Sequence, residues 1–210
     1  MGKTSDNPAD EVLLQLMLAG DGAAFARLYQ RWQSSIYRFA LRMSGSESIA
    51  EDVTQDVFLA VMRDGSLYEG RGTFASWILT IARHSTLRRL KRERRFVALE
   101  ADQEADEPDT VHPDNHMVST ADPLAELAQN EKIEAVRQAV LGLPPHYREV
   151  VLLCHLHELS YAEAADVIGC EIGTVCSRLY RARSLLASRL DPLKSDSGEP
   201  SGMKFARNEL

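Results

Sequence analysis

Seven cations fall within thirteen residues: Arg83, Arg88, Arg89, Lys91, Arg92, Arg94 and Arg95, against the single acid Glu93. A helix C-terminus is served by two or three cations. Seven point to a surface that binds phosphates. A second constellation follows Ser160-Tyr161-Ala162-Glu163, a capping box that opens a short apolar helix ending at Gly169. Beyond it, a long helix from Thr174 carries Ser177, Arg178 and Arg181 away from its apolar face. A short helix, a tight turn and a longer helix bearing Arg is the pattern of helix-turn-helix DNA binding. In that setting Arg reads guanine through paired hydrogen bonds, each pair contributing ~1–3 kcal/mol of discrimination, while Ser and Thr more often hold phosphate. A third constellation places Asp52, Gln55, Asp56, Leu59 and Met62 opposite Val53, Val57, Ala60 and Val61 on one helix. Acids that steer and apolar residues that anchor suit a protein-docking face. The alternative is that Leu59 and Met62 pack on a neighbouring helix.

Catalytic chemistry has little support. There is no Gly-rich phosphate loop, His-Glu metal motif or nucleophile elbow. Cys154, His155, His157, Cys170 and Cys176 cluster in sequence, but their spacing is not that of a zinc finger. Cys154 reads as a small buried hydrophobe. The expectation is no enzyme activity, metal, cofactor or small-molecule substrate, with an added metal or redox role as the competing reading.

The elements that must position these groups are all helical, and no strand pattern interrupts them. Between Asp10 and Met43, Val12, Leu13, Leu16, Met17, Phe25, Leu28, Trp32, Ile36 and Phe39 recur at helical spacing, split by Gly20-Asp21-Gly22. Ser48 with Glu51 predicts a capping box that opens a helix to about Arg63. A Gly-containing loop over 63–73 leads to a helix from Phe74 whose core stripe is Phe74, Trp77, Ile78 and Ile81. Leu124, Leu127, Ile133, Val136, Val140 and Leu141 predict the core stripe of another helix. Pro144-Pro145 opens the next, and Val175, Leu179, Ala182 and Leu186 anchor the last.

The formal charge of the 210 residues is −7, which on its face argues against nucleic acid. Resolved by segment, residues 26–95 carry +6, 96–131 carry −10 and 132–190 carry +1. One acidic, Pro-containing stretch sets the sign of the whole. It predicts a flexible linker over 96–123 between two compact units, 10–95 and 124–190. Residues 1–9 and 191–210 are expected to be disordered. Three cysteines form no disulfide framework, no apolar run reaches the ~20 residues of a membrane span, and the first residues lack a secretion signal. A cytoplasmic chain is expected.

The joint order of DGAAFARLYQRW, AEDVTQDVFLAV, TFASWILTIARH with its basic run, LPPHYREVVLL, SYAEAADVIG and GTVCSRLYRARSLL resembles the extracytoplasmic-function (ECF) group of sigma-70 factors of bacterial RNA polymerase. The resemblance spans nearly all of 10–95 and 124–190. It implies an all-α chain of two small helical domains, the region 2 bundle and the region 4 helix-turn-helix, joined by the acidic linker. Asp52, Gln55, Asp56, Leu59 and Met62 would dock on the β′ clamp helices of core polymerase. Arg71, Thr73, Arg83, His84, Arg88, Arg89, Lys91 and Arg92 would bind the −10 element. Thr174, Cys176, Ser177, Arg178, Arg181 and Arg183 would bind the −35 element, with the β flap on the other surface. An anti-sigma factor is the expected regulator. Extended, the ~28 linker residues reach up to ~90 Å, against ~70 Å for two turns of DNA.

Three positions depart from the pattern. Cys170-Glu171-Ile172 replaces a hydrophobic-Pro pair, and Cys176 stands where Lys is frequent, which would weaken nonspecific −35 binding. His84 stands where Asn is common in the −10 helix and would make that contact sensitive to pH. A stand-alone helix-turn-helix regulator, the competing function, leaves the acidic-apolar face at 50–62 unexplained.

Overall fold

The computed structural model describes residues 9–100 and 123–194. Among them there is no strand. Leu13 and Leu14 turn one side of α1 (Asp10–Leu18) into the core. Asp10 pins that helix to the next, pairing with Arg31 and accepting from Trp32 Nε1 at 3.1 Å. Asp21 caps α2 (Gly22–Ser44) by accepting from the Ala23 and Ala24 amides. Gly45 ends α2 at φ 78°, the left-handed conformation in which glycine avoids a Cβ clash.

The start of α3 (Glu47–Asp64) departs from expectation. The cap is Ser46, whose Oγ accepts from the Ile49 amide at 3.3 Å. Ser48 lies inside the first turn, because the chain leaves Gly45 extended at Ser46 and enters the helix two residues early. A single 3₁₀ turn at Gly65–Leu67 then leads to α4 (Phe74–Glu100). That helix runs five residues into the segment assigned to the linker. The core of this first bundle joins Leu28, Ile36 and Phe39 of α2, Val53, Val57 and Phe58 of α3, and Phe74, Ile78, Leu79 and Ala82 of α4.

The second bundle holds α5 (Pro123–Leu141), α6 (Pro145–Val151), α7 (Tyr161–Ile168) and α8 (Ile172–Lys194). Pro145 begins α6 where no amide donor is needed. The helix does not continue regularly to Glu158. It widens into a π segment at Leu152–Leu156, where the His157 amide reaches back five residues to the Leu152 carbonyl. Glu158 then takes φ 55°, alone among the described non-glycine residues. The Ser160–Glu163 capping box forms as expected. α8 starts at Ile172, two residues before Thr174. On α5, Ile133 and Val136 are exposed, and only the C-terminal end of the expected stripe, at Val140, is buried. The side chains of Leu124 and Leu127, and residues 1–8, 101–122 and 195–210, lie outside the described set.

The two bundles touch. α4 packs on α7, and α2 on α5 and α6. Arg148 donates to the carbonyls of Leu141 and Leu143 at the end of α5 and of Met43 at the end of α2. Ser35 Oγ lies 3.0 Å from His157 Nδ1, and the His157 ring stands edge-on to Phe39.

Candidate nucleic-acid interface

The basic end of α4 is less uniform than its sequence. Arg83 faces inward, its side chain 14% exposed, and donates from Nε to Glu149 at 2.9 Å. Arg89 is held by Asp52 and, at 2.7 Å, by Asp56. Arg88 lies 3.7 Å from Asp56. Burial alone would raise the Asp56 carboxyl, but hydrogen bonds from Arg89 and Ser85 and the charges of Arg89 and Arg88 bring it below its ordinary value. Two expected docking acids are therefore tied to two expected phosphate contacts. This pairing joins α3 to α4 and was not visible in a linear sequence. Arg88, Lys91, Arg92 and Arg95 present exposed side chains along the helix.

Tyr68 organises the loop before α4. Its OH donates to the Gly72 carbonyl at 2.8 Å, and its ring meets Phe74 and Trp77 with centroids 5.8 and 5.3 Å away. Thr73 caps α4, accepting from the Ser76 amide at 3.2 Å, and its hydroxyl donates to Glu163 at 2.9 Å. Arg71 is exposed and paired with Glu69. His84 is exposed and lines a cleft with Trp77, Ile81, Ser85 and Arg88.

On α3, Leu59 is 63% and Met62 55% exposed, with Leu67 of the 3₁₀ turn also exposed. The alternative in which they pack on a neighbouring helix is thus overturned. Gln55 is exposed beside them, and Asp52 and Asp56 are half-buried.

On α8, Val175, Leu179 and Ala182 are buried, so Cys176, Ser177, Arg181 and Arg183 face outward. Thr174 is half-buried. Arg178 is turned toward the core, donating to Glu149 at 3.1 Å, and is a structural cation rather than an outward contact. Tyr180, 78% exposed, was missed. Its spacing of four from Cys176 and three from Ser177 places it on the same face, but an aromatic residue on a helix is ordinarily read as core.

Burial pushes the Cys154 thiol up to about 11, so it holds little thiolate at neutral pH. Among the described residues no three His, Cys, Asp or Glu side chains gather to hold a metal, and no helix is long and apolar enough to cross a membrane.

Comparison with known proteins gives the family. Residues 28–96 match the Sigma-70 region 2 family and residues 133–186 the Sigma-70, region 4 family. The ECF RNA polymerase sigma factor SigE of Mycolicibacterium smegmatis is 32% identical over 200 residues, covering 93% of this chain and 73% of that one. Among solved structures, the sigma factor RpoE in complex with the anti-sigma factor NepR from Bartonella quintana has a TM-score of 0.63 at 24% identity. It covers 80% of this chain and 96% of that one. CnrH in complex with the cytosolic domain of CnrY has a TM-score of 0.62 at 25% identity, over 88% and 99%.

Proposed function

This chain belongs to the ECF group of RNA polymerase sigma factors and acts in transcription initiation, and from that premise we propose which face performs which step. Residues 10–95 form the unit that binds core polymerase and the −10 element. Residues 124–190 form the unit that binds the −35 element. The segment between them is the tether that lets both units reach the promoter.

The exposed pair Leu59 and Met62 carries the reading of the first unit. A stand-alone DNA-binding module has no use for large apolar side chains in water beside acids. A docking face does, because apolar anchors supply affinity and acids set approach and orientation. Its partner is the β′ clamp helices of core polymerase. The exposed cations Arg88, Lys91, Arg92 and Arg95 take phosphates near the −10 element, with His84, Arg71 and Thr73 on the reading side. In the second unit Cys176, Ser177, Arg181 and Arg183 enter the −35 major groove, and Tyr180 joins them. The β flap meets another face of that unit. The chain performs no covalent step itself, and its site of action is the cytoplasm, where polymerase and promoter are. An anti-sigma factor, the kind of partner with which the Bartonella quintana protein was solved, is the proposed regulator.

The test separates docking from DNA binding. Leu59→Asp with Met62→Asp leaves the buried faces of α3 untouched. It should weaken core-polymerase binding at least ~10-fold, as loss of a docking anchor does. Affinity for mixed-sequence DNA should stay nearly constant. Unchanged core binding would remove this face from the reading.

A further inference from the structure

The outward face of α8 divides its chemistry between its edges and its middle. Val175, Leu179 and Ala182 are buried and Arg178 turns to Glu149, so the groove-facing arc lies opposite them. At about 100° per residue, the two outward cations Arg181 and Arg183 fall at the two edges of that arc, roughly 160° apart. Arg183 leans to its own side, where its guanidinium lies 3.4 Å from His155 Nε2. Tyr180 occupies the middle and is 78% exposed. Cys176, one turn before it and roughly 40° round the helix, is exposed as well. Ser177 completes the middle, but it spends its hydroxyl proton on the Thr174 carbonyl at 3.0 Å.

The base edge that fits this middle follows from what it lacks. Guanine is read by a cation forking onto O6 and N7, and adenine by a side-chain amide. The middle of the arc holds neither. It offers a thiol, which behaves as a small hydrophobe, and an aromatic ring, which brings large contact area at low entropic cost. The apolar group on the major-groove edge of DNA is the C5 methyl of thymine. Cys176 and Tyr180 stand about 6 Å apart along the helix axis. That is under two base steps of about 3.4 Å, so both can border one methyl.

We propose that Tyr180, together with Cys176, is a specificity-determining residue that selects a thymine in the −35 element through its C5 methyl group. This rests on the assignment of α8 to the −35 groove made above. The ring and the thiol remove the methyl from water, and the Tyr180 hydroxyl is not part of the contact. The edge cations Arg181 and Arg183 stay available for phosphate or for a neighbouring guanine.

The experiment assembles the full chain with core polymerase under reducing conditions and offers it a promoter library with a randomised −35 region. The selected element should contain a thymine whose replacement by deoxyuridine, which removes only the methyl, weakens promoter binding about fourfold, the transfer value of one buried methyl. Tyr180→Phe should keep that penalty, because the ring is unchanged. Tyr180→Ala should shrink it to less than about twofold, since the methyl then loses most of its cover. Cys176→Arg, which places a fork of donors beside the ring, should move the selected base toward guanine. Melting temperatures should stay at that of the unmodified chain, because both side chains are exposed. An element with no methyl-sensitive thymine would overturn the proposal. So would a penalty that survives in Tyr180→Ala or vanishes in Tyr180→Phe, or a selected base unmoved by Cys176→Arg. Selection indifferent to the whole −35 region, or no promoter-specific transcript from active core polymerase, would instead refute the reading of α8 beneath it, and the proposal with it.

Discussion

Glu158 illustrates how a single residue records a local constraint. Its φ of 55° belongs to the region where a Cβ is strained. The π segment before it shifts the chain by one residue, and the turn into α7 must absorb the shift. Glu158→Gly should raise unfolding stability by about 1 kcal/mol, seen as a higher denaturant midpoint at unchanged slope. A lower midpoint would mean that the side chain contributes more than its backbone strain costs. The outward-facing residues of α8 were mostly legible, because buried Val175, Leu179 and Ala182 fix the opposite face. The inward turn of Arg178 and Arg83 was missed for one reason. Their shared partner Glu149 lies far from both in sequence, and a cation's exposure cannot be read without it. Truncating an exposed base-reading cation should cost more than truncating a committed one. Arg181→Ala should lower −35 duplex affinity by ~1–3 kcal/mol without shifting the melting temperature. Arg178→Ala should lower the melting temperature, since it leaves Glu149 buried with one partner fewer. Equal melting temperatures would refute that division of roles.

At the scale of elements, helix existence was legible throughout, because apolar spacing and glycine stops agree with one another. Helix starts were legible only where the cap had a reciprocal acid. Ser160 and Glu163 satisfy each other's amides, with both bonds present. Ser46 caps alone, so nothing in sequence favoured it over Ser48, which has Glu51 three residues on. Ser160→Ala should therefore cost ~1 kcal/mol of stability, read as a lower denaturant midpoint. Ser48→Ala should change it little. A larger loss at Ser48 would contradict the observed start of α3. The π segment had no sequence signal, since Leu152 to Leu156 continue an acceptable helical pattern. On α3 and α4, the Asp52–Arg89–Asp56 cluster explains why charge reversal of those acids is a poor probe of docking. It would release Arg89 and unpin two helices as well, whereas Leu59 and Met62 report docking alone.

At the scale of the molecule, the net charge was a poor guide and its segmentation a good one. What composition could not convey is that the two bundles meet, because their contacts pair residues far apart in sequence, 66 positions for Arg83 with Glu149, 90 for Thr73 with Glu163 and 122 for Ser35 with His157. His157 gives that seam a pH dependence. Burial first, and then the charge of Arg38, hold it down to about 4 from an ordinary 6.5. It is neutral in the folded chain and takes up a proton more readily once released. Its contribution is therefore complete above pH 6.5 and falls as pH drops toward 4, by at most ~1.4 kcal/mol per unit. Stability measured at pH 7 and pH 5 should differ more for the unmodified chain than for His157→Asn, and an equal difference would place the histidine outside the seam.

In the proposed function, this chain turns core polymerase into a promoter-specific enzyme through an apolar face on α3 and a reading face on α8. The most direct measurement maps transcript starts made by core polymerase with this chain on fragmented genomic DNA, alongside the Leu59→Asp, Met62→Asp and Arg181→Ala forms. Discrete starts sharing one pair of upstream elements are expected. These should be abolished when α3 is altered and reduced or redirected when α8 is. Active core polymerase that yields no discrete starts with the unmodified chain would contradict this function, as would starts indifferent to both alterations.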